Sequence, residues 1–352
     1  MEKNTALYAY FGQLGIFNDN IPGHTFYQLG LLDELANKYS INSFDFVNYL
    51  NTENAEVRPE FPKDKLGEVF ERYSDRLIDN YQLGQGQVIE NIRNKRYSKL
   101  FLKARFRNLS TLQKKMRDAA YFEKIIQLAL QAGYHPADIV VLDTDLSLSE
   151  SFLNTLKKLG ISRQIPSITM PGCSKQFMAE CLAVHESTSN KVPNYLIYYG
   201  NLSFGNYKEG HSKNPIISDI ISEVDQVSKF DGSPFTLTVV AKKDSTVEAL
   251  LSGLDRVSLC PREQRADIWN VMQFAQVSIN VSKDLYLEKG FIPARVYESV
   301  IFGTIPVSYN DPRFHPAMSF NTTDDFFEIC KFISDCSRSD YFKILNQIAS
   351  CL

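Results

Sequence analysis

A cation and a carboxylate three residues apart offer the most specific chemistry in this sequence. Arg295 and Glu298 fall in the segment from Phe291 to Val307, where a helical pattern leads into a hydrophobic strand. Residues i and i+3 share a helix face, so Arg295 could bind a diphosphate as a charge-assisted fork while Glu298 accepts hydrogen bonds from ribose hydroxyls. The pair therefore predicts nucleotide recognition. The alternative is an ordinary salt bridge on a surface helix.

Two carboxylates close a buried strand in the first half of the chain. The apolar run from Ile139 to Leu142 is followed by Asp143, Thr144 and Asp145. Catalytic groups collect beyond the carboxyl ends of parallel strands, so Asp145 or Asp143 could serve as a general base. The alternative for either aspartate is a cap for the helix predicted after residues 147–151.

A third feature is a stretch of unbalanced positive charge. Every charged residue from 91 to 117 is basic, although the whole chain has a net charge of -3. Local positive charge interleaved with aromatic side chains is typical of a surface that binds nucleic-acid phosphates. A solvated amphipathic helix, or a surface for anionic lipid, is the alternative. The candidates for DNA binding are Arg93, Lys95, Arg96, Lys99, Lys103, Arg105 and Arg107.

The elements that must position these residues predict two α/β domains. With 352 residues the chain exceeds the usual size of one domain. The run from Thr5 to Phe11 predicts a buried strand, and Gly12 and Gly15 in the loop after it are expected to face a ligand site. A helix and a second strand, from Asn42 to Val47, complete this opening. The pattern starts again at the strand from Tyr195 to Tyr199.

Hydrophobic periodicity predicts the remaining elements. Residues 65–117 are expected to be mostly helical. Further strands are predicted at 166–170, 235–240, 256–259, 277–281 and 305–308, and further helices at 214–228, 267–276 and 294–302. The polar segment 186–193 predicts a linker. It gives a first domain of residues 1–190, a second of 191–338, and a C-terminal helix, 339–352, that returns to the first domain.

Composition argues against several classes of protein. No apolar run approaches the roughly 20 residues that cross a bilayer. The N-terminus lacks a signal-peptide pattern, so we expect a cytoplasmic protein, in the host cytoplasm if a phage encodes it. The six cysteines lack the spacing of metal ligands, and no metal site is predicted.

The order of these parts resembles the GT-B glycosyltransferases, and among them the DNA hydroxymethylcytosine glucosyltransferases of T-even bacteriophages. The stretch from Tyr199 to Ser203 matches the glycine loop of that family with one inserted residue. Arg295 to Glu298 matches its arginine-valine-tryptophan-glutamate helix, and Asp143 to Asp145 stands for its threonine-aspartate pair. The resemblance covers most of the chain, with residues 295–307 its specific part. It implies two Rossmann-like domains whose parallel sheets face a central cleft.

The resemblance also implies a role for each matched residue. Asp145 would take the proton from the acceptor, Arg295 would bind the diphosphate, and Glu298 would hold the ribose. The chain departs from the family after the glycine loop, where lysines and a histidine replace phosphate-binding arginines. The other contacts implied for the nucleotide-sugar are Gly200, Ser203, Lys208, Cys260, Asp284 and Tyr286.

These observations predict a transferase that moves glucose, or a pentose such as arabinose, from a UDP-sugar to a hydroxylated or hydroxymethylated cytosine in double-stranded DNA. The target base would have to flip out of the duplex. We expect a monomer with no permanently bound cofactor. The transfer is expected to invert the anomeric carbon, and Mg²⁺ or Mn²⁺ could stimulate it. Two alternatives stay open: a glycosyltransferase for a lipid-linked or surface glycan, and a non-catalytic protein that holds DNA or a nucleotide.

Overall fold

The chain divides into two compact units, residues 1–174 and 175–352. The computed structural model describes residues 4–10, 22–48, 61, 64–103, 112–143, 148–164, 173–188, 190–200, 216–226, 234–241, 245–261, 271–282, 287 and 292–352. Among these residues, no helix is long and apolar enough to cross a membrane.

The first unit is built on a six-stranded sheet in which every pair of neighbouring strands is parallel. Its strands are β1 (Thr5–Tyr10), β2 (Ser43–Asn48), β3 (Ile78–Asn80), β4 (Lys99–Lys103), β5 (Ile139–Leu142) and β6 (Ser162–Gln164). The helices described in this unit are α1 (Pro22–Tyr39), α2 (Lys65–Leu77), α3 (Gln85–Arg93), α4 (Leu112–Gln131) and α5 (Glu150–Lys158), with a 3-10 turn at Pro136–Asp138.

The second unit repeats this plan with another six-stranded parallel sheet. Its strands are β7 (Val192–Tyr199), β8 (Thr236–Ala241), β9 (Val257–Pro261), β10 (Ala275–Val281), β11 (Ile305–Tyr309) and β12 (Ser319–Phe320). The helices described are α6 (Lys175–Thr188), α7 (Ile216–Gln226), α8 (Ser245–Leu251), α9 (Ala294–Ile301), α10 (Thr323–Asp335) and α11 (Arg338–Cys351), with a 3-10 turn at Pro316–Met318.

Both sheets have the strand order of a Rossmann fold. The first is β3-β2-β1-β4-β5-β6, and the second gives the same order when its strands are counted from β7. The order of the strands reverses between β1 and β4 in the first sheet and between β7 and β10 in the second, and each of these positions is a topological switch point. Ligands bind beyond the carboxyl ends of the strands at such a point. The predicted α/β class, with two Rossmann-like domains built on parallel sheets, is confirmed.

The prediction that residues 65–117 are mostly helical is wrong at β3 and β4. Strand β4 lies beside β1 at the centre of the first sheet. Its three apolar residues, Leu100, Phe101 and Leu102, are fully buried, and a lysine stands at each end. A three-residue apolar run between two lysines is too short to interrupt a helical pattern in the sequence, so only the packing of the sheet identifies it as a strand.

Two other element predictions lie wholly or partly outside the described residues. The strand predicted at 166–170 lies outside the described residues, and the strand that ends the first sheet is β6, a polar edge strand. The helix predicted at 267–276 is described only from residue 271, and its last two residues belong to β10. Helices α8 and α10 and strands β6 and β12 were not predicted.

Helix α6 belongs to the second unit, whereas the sequence-based prediction counted it with the first domain. It packs on α9 and α11, and its buried face includes Phe177, Met178 and Cys181. The Lys175 ammonium also donates to the carbonyl of Ser350, 2.9 Å away. The division between the compact units therefore falls before α6, at Ser174, and not within the polar segment at 186–193.

Candidate functional site

Helix α9 places Arg295 and Glu298 at the switch point of the second sheet. The helix connects β10 to its parallel neighbour β11, so it runs back along the sheet and its first turn lies at the carboxyl edge. Pro293 is the N-cap, and Arg295 lies in the first turn. The apolar residues Val296, Tyr297, Val300 and Ile301 are all buried, which holds the helix against the sheet.

A tight turn fixes the carboxyl end of α9. Gly303 has φ of 68°, a left-handed conformation that glycine adopts without a steric penalty. Its N–H donates to the carbonyl of Val300 at 2.9 Å, and the N–H of Thr304 donates to that of Ser299 at 2.8 Å, as in a Schellman motif. A Cβ on Gly303 would stand 2.9 Å from the imidazole Cγ of His185, so the position has no room for a side chain.

Three side chains outside α9 bind its last carbonyls. His185 on α6 donates from Nε2 to a last-turn carbonyl at 3.0 Å. The ammonium of Lys191 donates to the carbonyl of Phe302 at 2.9 Å. The hydroxyl of Tyr341 on α11 donates to the carbonyl of Gly303 at 2.9 Å. Burial lowers the pKa of Lys191 well below its usual value and raises the pKa of Tyr341.

A chain of hydroxyls joins α9 to β10. Ser299 donates to the carbonyl of Arg295 at 2.6 Å. The single hydroxyl proton of Ser299 is thus used, so Ser278 on β10 must be the donor in the 2.6 Å contact between the two serines. The backbone of Arg295 is therefore held in place by the sheet beneath it.

The guanidinium of Arg295 lies beside the carboxyl end of β7, at Tyr199 and Gly200. Its Nη1 donates to the carbonyl of Tyr199 at 3.2 Å. An ideal Cβ on Gly200 would stand 3.2 Å from the same Nη1, 2.6 Å from the hydroxyl of Tyr198 and 2.8 Å from its Cζ. Glycine thus lets the backbone, a tyrosine hydroxyl and a cation approach one another at the switch point.

Gly200 and Cys260 share one edge of the second sheet. The N–H of Gly200 donates to the carbonyl of Val240 at 3.2 Å, and Val240 pairs with Cys260 in the neighbouring strand. Two strand spacings separate the ends of β7 and β9, a distance of about 10 Å. A diphosphate at Gly200 and a base near Cys260 would fit a nucleotide that lies across this carboxyl edge.

The structure does not show the surface salt bridge that was the alternative for Arg295 and Glu298. Glu298 is only 6% exposed, and Arg295 is directed to the backbone of Tyr199. Instead, both side chains lie at the same edge of the sheet: Glu298 is one turn into α9, and the guanidinium of Arg295 lies at the end of the neighbouring strand, β7.

Asp143 has a structural partner rather than an open position. The carboxylate is fully buried, and Arg163 donates to its Oδ2 from Nε at 2.9 Å and from Nη2 at 2.6 Å. A general base must reach the proton that it takes, and an enclosed carboxylate in an ion pair does not fit that role. The alternative base, Asp145, lies outside the described residues.

The described basic residues do not form one continuous surface. Lys95 donates to the carbonyl of Gly133 at 2.7 Å, and Lys99 pairs with Asp138 at 3.3 Å, both near the amino end of β4. Lys103 is fully buried at the other end of the strand. Arg93 and Arg96 are exposed in and after α3.

Several predicted site residues cannot be placed relative to this site. These residues lie outside the described part of the chain: Gly12, Gly15, Arg105, Arg107, Asp145, Ser203, Lys208, Asp284 and Tyr286. Among the residues that are described, no cluster of three histidine, cysteine or acidic side chains could hold a metal ion.

Sequence reasoning missed the polar groups beneath and beside α9. Tyr198, Ser278, Asn280 and Ser299 all contact or approach the first turn of the helix or the strands below it. One signal was available in β10, where Ser278 and Asn280 alternate with apolar residues and so share a face of a buried strand. Small polar residues on a buried face require partners.

No protein-family model matches the chain, and no curated protein matches it at a significant level. Similar solved structures include a β-glucosyltransferase described as a DNA-modifying enzyme, with 12% identity, 98% of this chain and 94% of that chain covered, and a TM-score of 0.42. An α,α-trehalose 6-phosphate synthase from Burkholderia multivorans has 9% identity, 100% and 95% coverage and a TM-score of 0.44. A UDP-GlcNAc 2-epimerase from Neisseria meningitidis has 11% identity, 97% and 94% coverage and a TM-score of 0.37. Likenesses at this level carry no argument about function.

Proposed function

We propose that this chain is a UDP-sugar-dependent glycosyltransferase that modifies hydroxylated or hydroxymethylated cytosine in DNA. The observation that carries the proposal is the position of the Arg295 guanidinium beside Gly200, at the switch point of a Rossmann-like sheet. Rossmann-like sheets bind nucleotides at this point. Glu298, one turn further along α9, would accept the ribose hydroxyls.

The chemistry assigned to Arg295 is stabilisation of the leaving group. When the acceptor oxygen bonds to the anomeric carbon, the bond from that carbon to the diphosphate breaks, and UDP departs with the electron pair. A guanidinium that donates two hydrogen bonds to the diphosphate stabilises the developing negative charge. The backbone N–H groups of the first turn of α9 point toward the same edge and favour an anion there.

The proposed base is Asp145. It follows β5 by three residues, and Asp143 between them is held in an ion pair with Arg163. Asp145 would take the proton from the acceptor hydroxyl as that oxygen attacks the anomeric carbon. Direct attack from the side opposite the diphosphate inverts the configuration of the sugar.

DNA is proposed as the acceptor on the basis of the basic segment after β4. Strand β4 borders the switch point of the first sheet, and the connection that leaves its carboxyl end contains Arg105 and Arg107. Positive charge at that edge would contact phosphates of a duplex near the proposed base. Lys95 and Lys99, at the opposite end of the strand, are not part of this proposal.

Release of UDP from a panel of UDP-sugars tests the proposal. UDP-glucose, UDP-arabinose, UDP-galactose and UDP-N-acetylglucosamine would each be assayed with and without DNA that contains hydroxymethylated cytosine. We expect release with glucose or arabinose only when this DNA is present, with a steep loss as salt rises. Release that is independent of DNA would favour a glycan acceptor, and nucleotide binding without release would favour a binding protein.

Two variants locate the chemistry. Arg295→Gln should weaken UDP binding, measured by calorimetry, by about 10-fold or more, because it removes a charge-assisted hydrogen bond. Arg338→Gln is the matched control, since Arg338 is exposed at the start of α11 and donates to the backbone of Glu186. Asp145→Ala should abolish transfer and leave UDP binding unchanged. Transfer that survives Asp145→Ala would remove this residue as the base.

A further inference from the structure

Asn280, near the carboxyl end of β10, has a carbonyl oxygen with no hydrogen-bond partner among the described residues. Its side chain is fully buried. The Nδ2 group donates to the hydroxyl of Ser308 at 3.0 Å and approaches that of Ser282 at 3.4 Å. No hydrogen-bond partner reaches Oδ1, as judged over the described part of the chain. An enclosed and unpaired carbonyl is costly, and most such groups in folded proteins are satisfied.

The geometry places this carboxamide level with the first turn of α9. Ser278 on β10 contacts Ser299 on α9. Asn280 lies two residues further along the same face of the strand, about 7 Å closer to the carboxyl edge. Arg295 lies four residues back along the antiparallel helix, about 6 Å in the same direction. Asn280 and Arg295 therefore lie at the same level along the strand direction, one in the sheet and the other on the helix packed over it.

The carboxamide also lies just beneath the surface of that edge. Ser282 is only partly buried and stands beside Nδ2. Ser282 is the second residue beyond Asn280 and directly follows β10, and Asp284 and Tyr286, which the resemblance implies as contacts of the nucleotide-sugar, come next in the sequence. A ligand group that binds at the first turn of α9 would therefore lie beside the face of β10 that carries Asn280.

We infer that Asn280 is a binding residue for a hydroxyl of the nucleotide-sugar, an inference that rests on the proposed function. A hydroxyl both donates and accepts, so it satisfies the unpaired end of the carboxamide whichever way the amide group is turned. A buried group built to bind a hydroxyl also discriminates against ligands that lack it. The hydroxyl belongs to the ribose or to the donor sugar, and the choice of ligands in the test separates them.

Calorimetric affinities of three ligands for two proteins test this inference. The ligands are UDP-glucose, UDP and 2′,3′-dideoxy-UDP, and the proteins are the wild type and Asn280→Leu, which has a similar volume and no polar atoms. We expect Asn280→Leu to bind UDP-glucose about 10-fold more weakly, the effect of leaving a ligand hydroxyl unpaired. A ribose contact would weaken UDP as well but leave 2′,3′-dideoxy-UDP unchanged. A donor-sugar contact would weaken UDP-glucose alone.

Equal weakening of all three ligands, or of none, would overturn the inference, because a structural role does not distinguish ligand hydroxyls. Asn280→Ala provides the same comparison if the leucine variant does not fold. Failure of the wild type to bind any of these ligands would overturn the proposed function itself. A wild type that binds UDP-glucose with an affinity that Asn280→Leu retains would overturn only the role of Asn280.

Discussion

Replacing Gly200 by alanine should weaken nucleotide binding through a steric effect that can be calculated from its neighbours. The added Cβ would stand 2.6 Å from the Tyr198 hydroxyl, 2.8 Å from Cζ and 3.2 Å from Nη1 of Arg295. Ordinary contacts of a Cβ begin near 3.4 Å. Tyr198 is only 6% exposed, so its ring has little room to withdraw. Overpacking of this kind costs about 1–3 kcal/mol.

The same methyl group should displace the guanidinium of Arg295. If the cation loses one charge-assisted hydrogen bond to the diphosphate, the loss of about 1.5–3 kcal/mol corresponds to a dissociation constant for UDP about 10- to 150-fold higher. Calorimetric titration with UDP measures this change, and urea unfolding measures the change in stability. Gly86→Ala is the control, because no described atom lies within 4 Å of its ideal Cβ and the residue is inside α3.

A second substitution separates the steric explanation from others. Tyr198→Leu removes both of the closest atoms, so Gly200→Ala should cost less stability in that background, with a coupling energy of at least about 1 kcal/mol. The reasoning would be refuted if Gly200→Ala retained wild-type affinity and stability. It would also be refuted if the alanine cost the same free energy with tyrosine or leucine at position 198.

Three further predictions concern the supports of the site. Arg163→Leu should cost about 3–5 kcal/mol of unfolding free energy in a urea titration, because the buried carboxylate of Asp143 would lose its ion pair with Arg163; a loss below about 1 kcal/mol would contradict this. The pKa of Lys191 in the folded protein is below its unfolded value of 10.5, so the unfolded chain binds more protons than the folded one. The stability of the wild type relative to Lys191→Met should therefore rise with pH up to 10.5, by at most about 1.4 kcal/mol per pH unit. A flat difference across that range would show that the ammonium is not enclosed. Tyr341→Phe should lower stability by about 1–3 kcal/mol, since the buried carbonyls of Gln276 and Gly303 lose the single hydroxyl proton that they share, and an unchanged thermal midpoint would argue against this contact.

The sequence was most informative where an element is long and its pattern is regular. Strand β5 follows from four consecutive apolar residues, and its position in a parallel sheet follows from burial on both faces. Helix α9 follows from the spacing of Arg295 and Glu298 and from Gly303, which ends it. The sequence did not predict β4, because Lys103 is buried in the structure, whereas an isolated lysine in a sequence indicates an exposed residue.

The sequence predicted the position of a site residue only where the order of strands and helices along the chain determines it. Gly200 follows β7 and Arg295 opens α9, so the strand order alone brings both to the same edge of the sheet. The partner of Asp143 could not be predicted, because Arg163 comes from a neighbouring strand 20 residues later in the chain. The alternation in β10 indicates that Asn280 lies on a buried face, but the sequence does not show that its oxygen lacks a partner among the described residues, because that depends on packing.

The contacts that hold α9 in place explain why Arg295 is suited to stabilise a leaving group. Arg295 stands on a short helix that is bound at its carboxyl end by His185, Lys191 and Tyr341 and joined to β10 through Ser299. A charge that is fixed before the reaction pays little reorganisation energy as negative charge develops on the diphosphate. A flexible surface lysine or arginine would have to be ordered at that moment, at the cost of side-chain entropy. The fixed helix therefore favours transition-state stabilisation over simple attraction of the nucleotide, so the loss of Arg295 should lower the rate of transfer more than it weakens UDP binding.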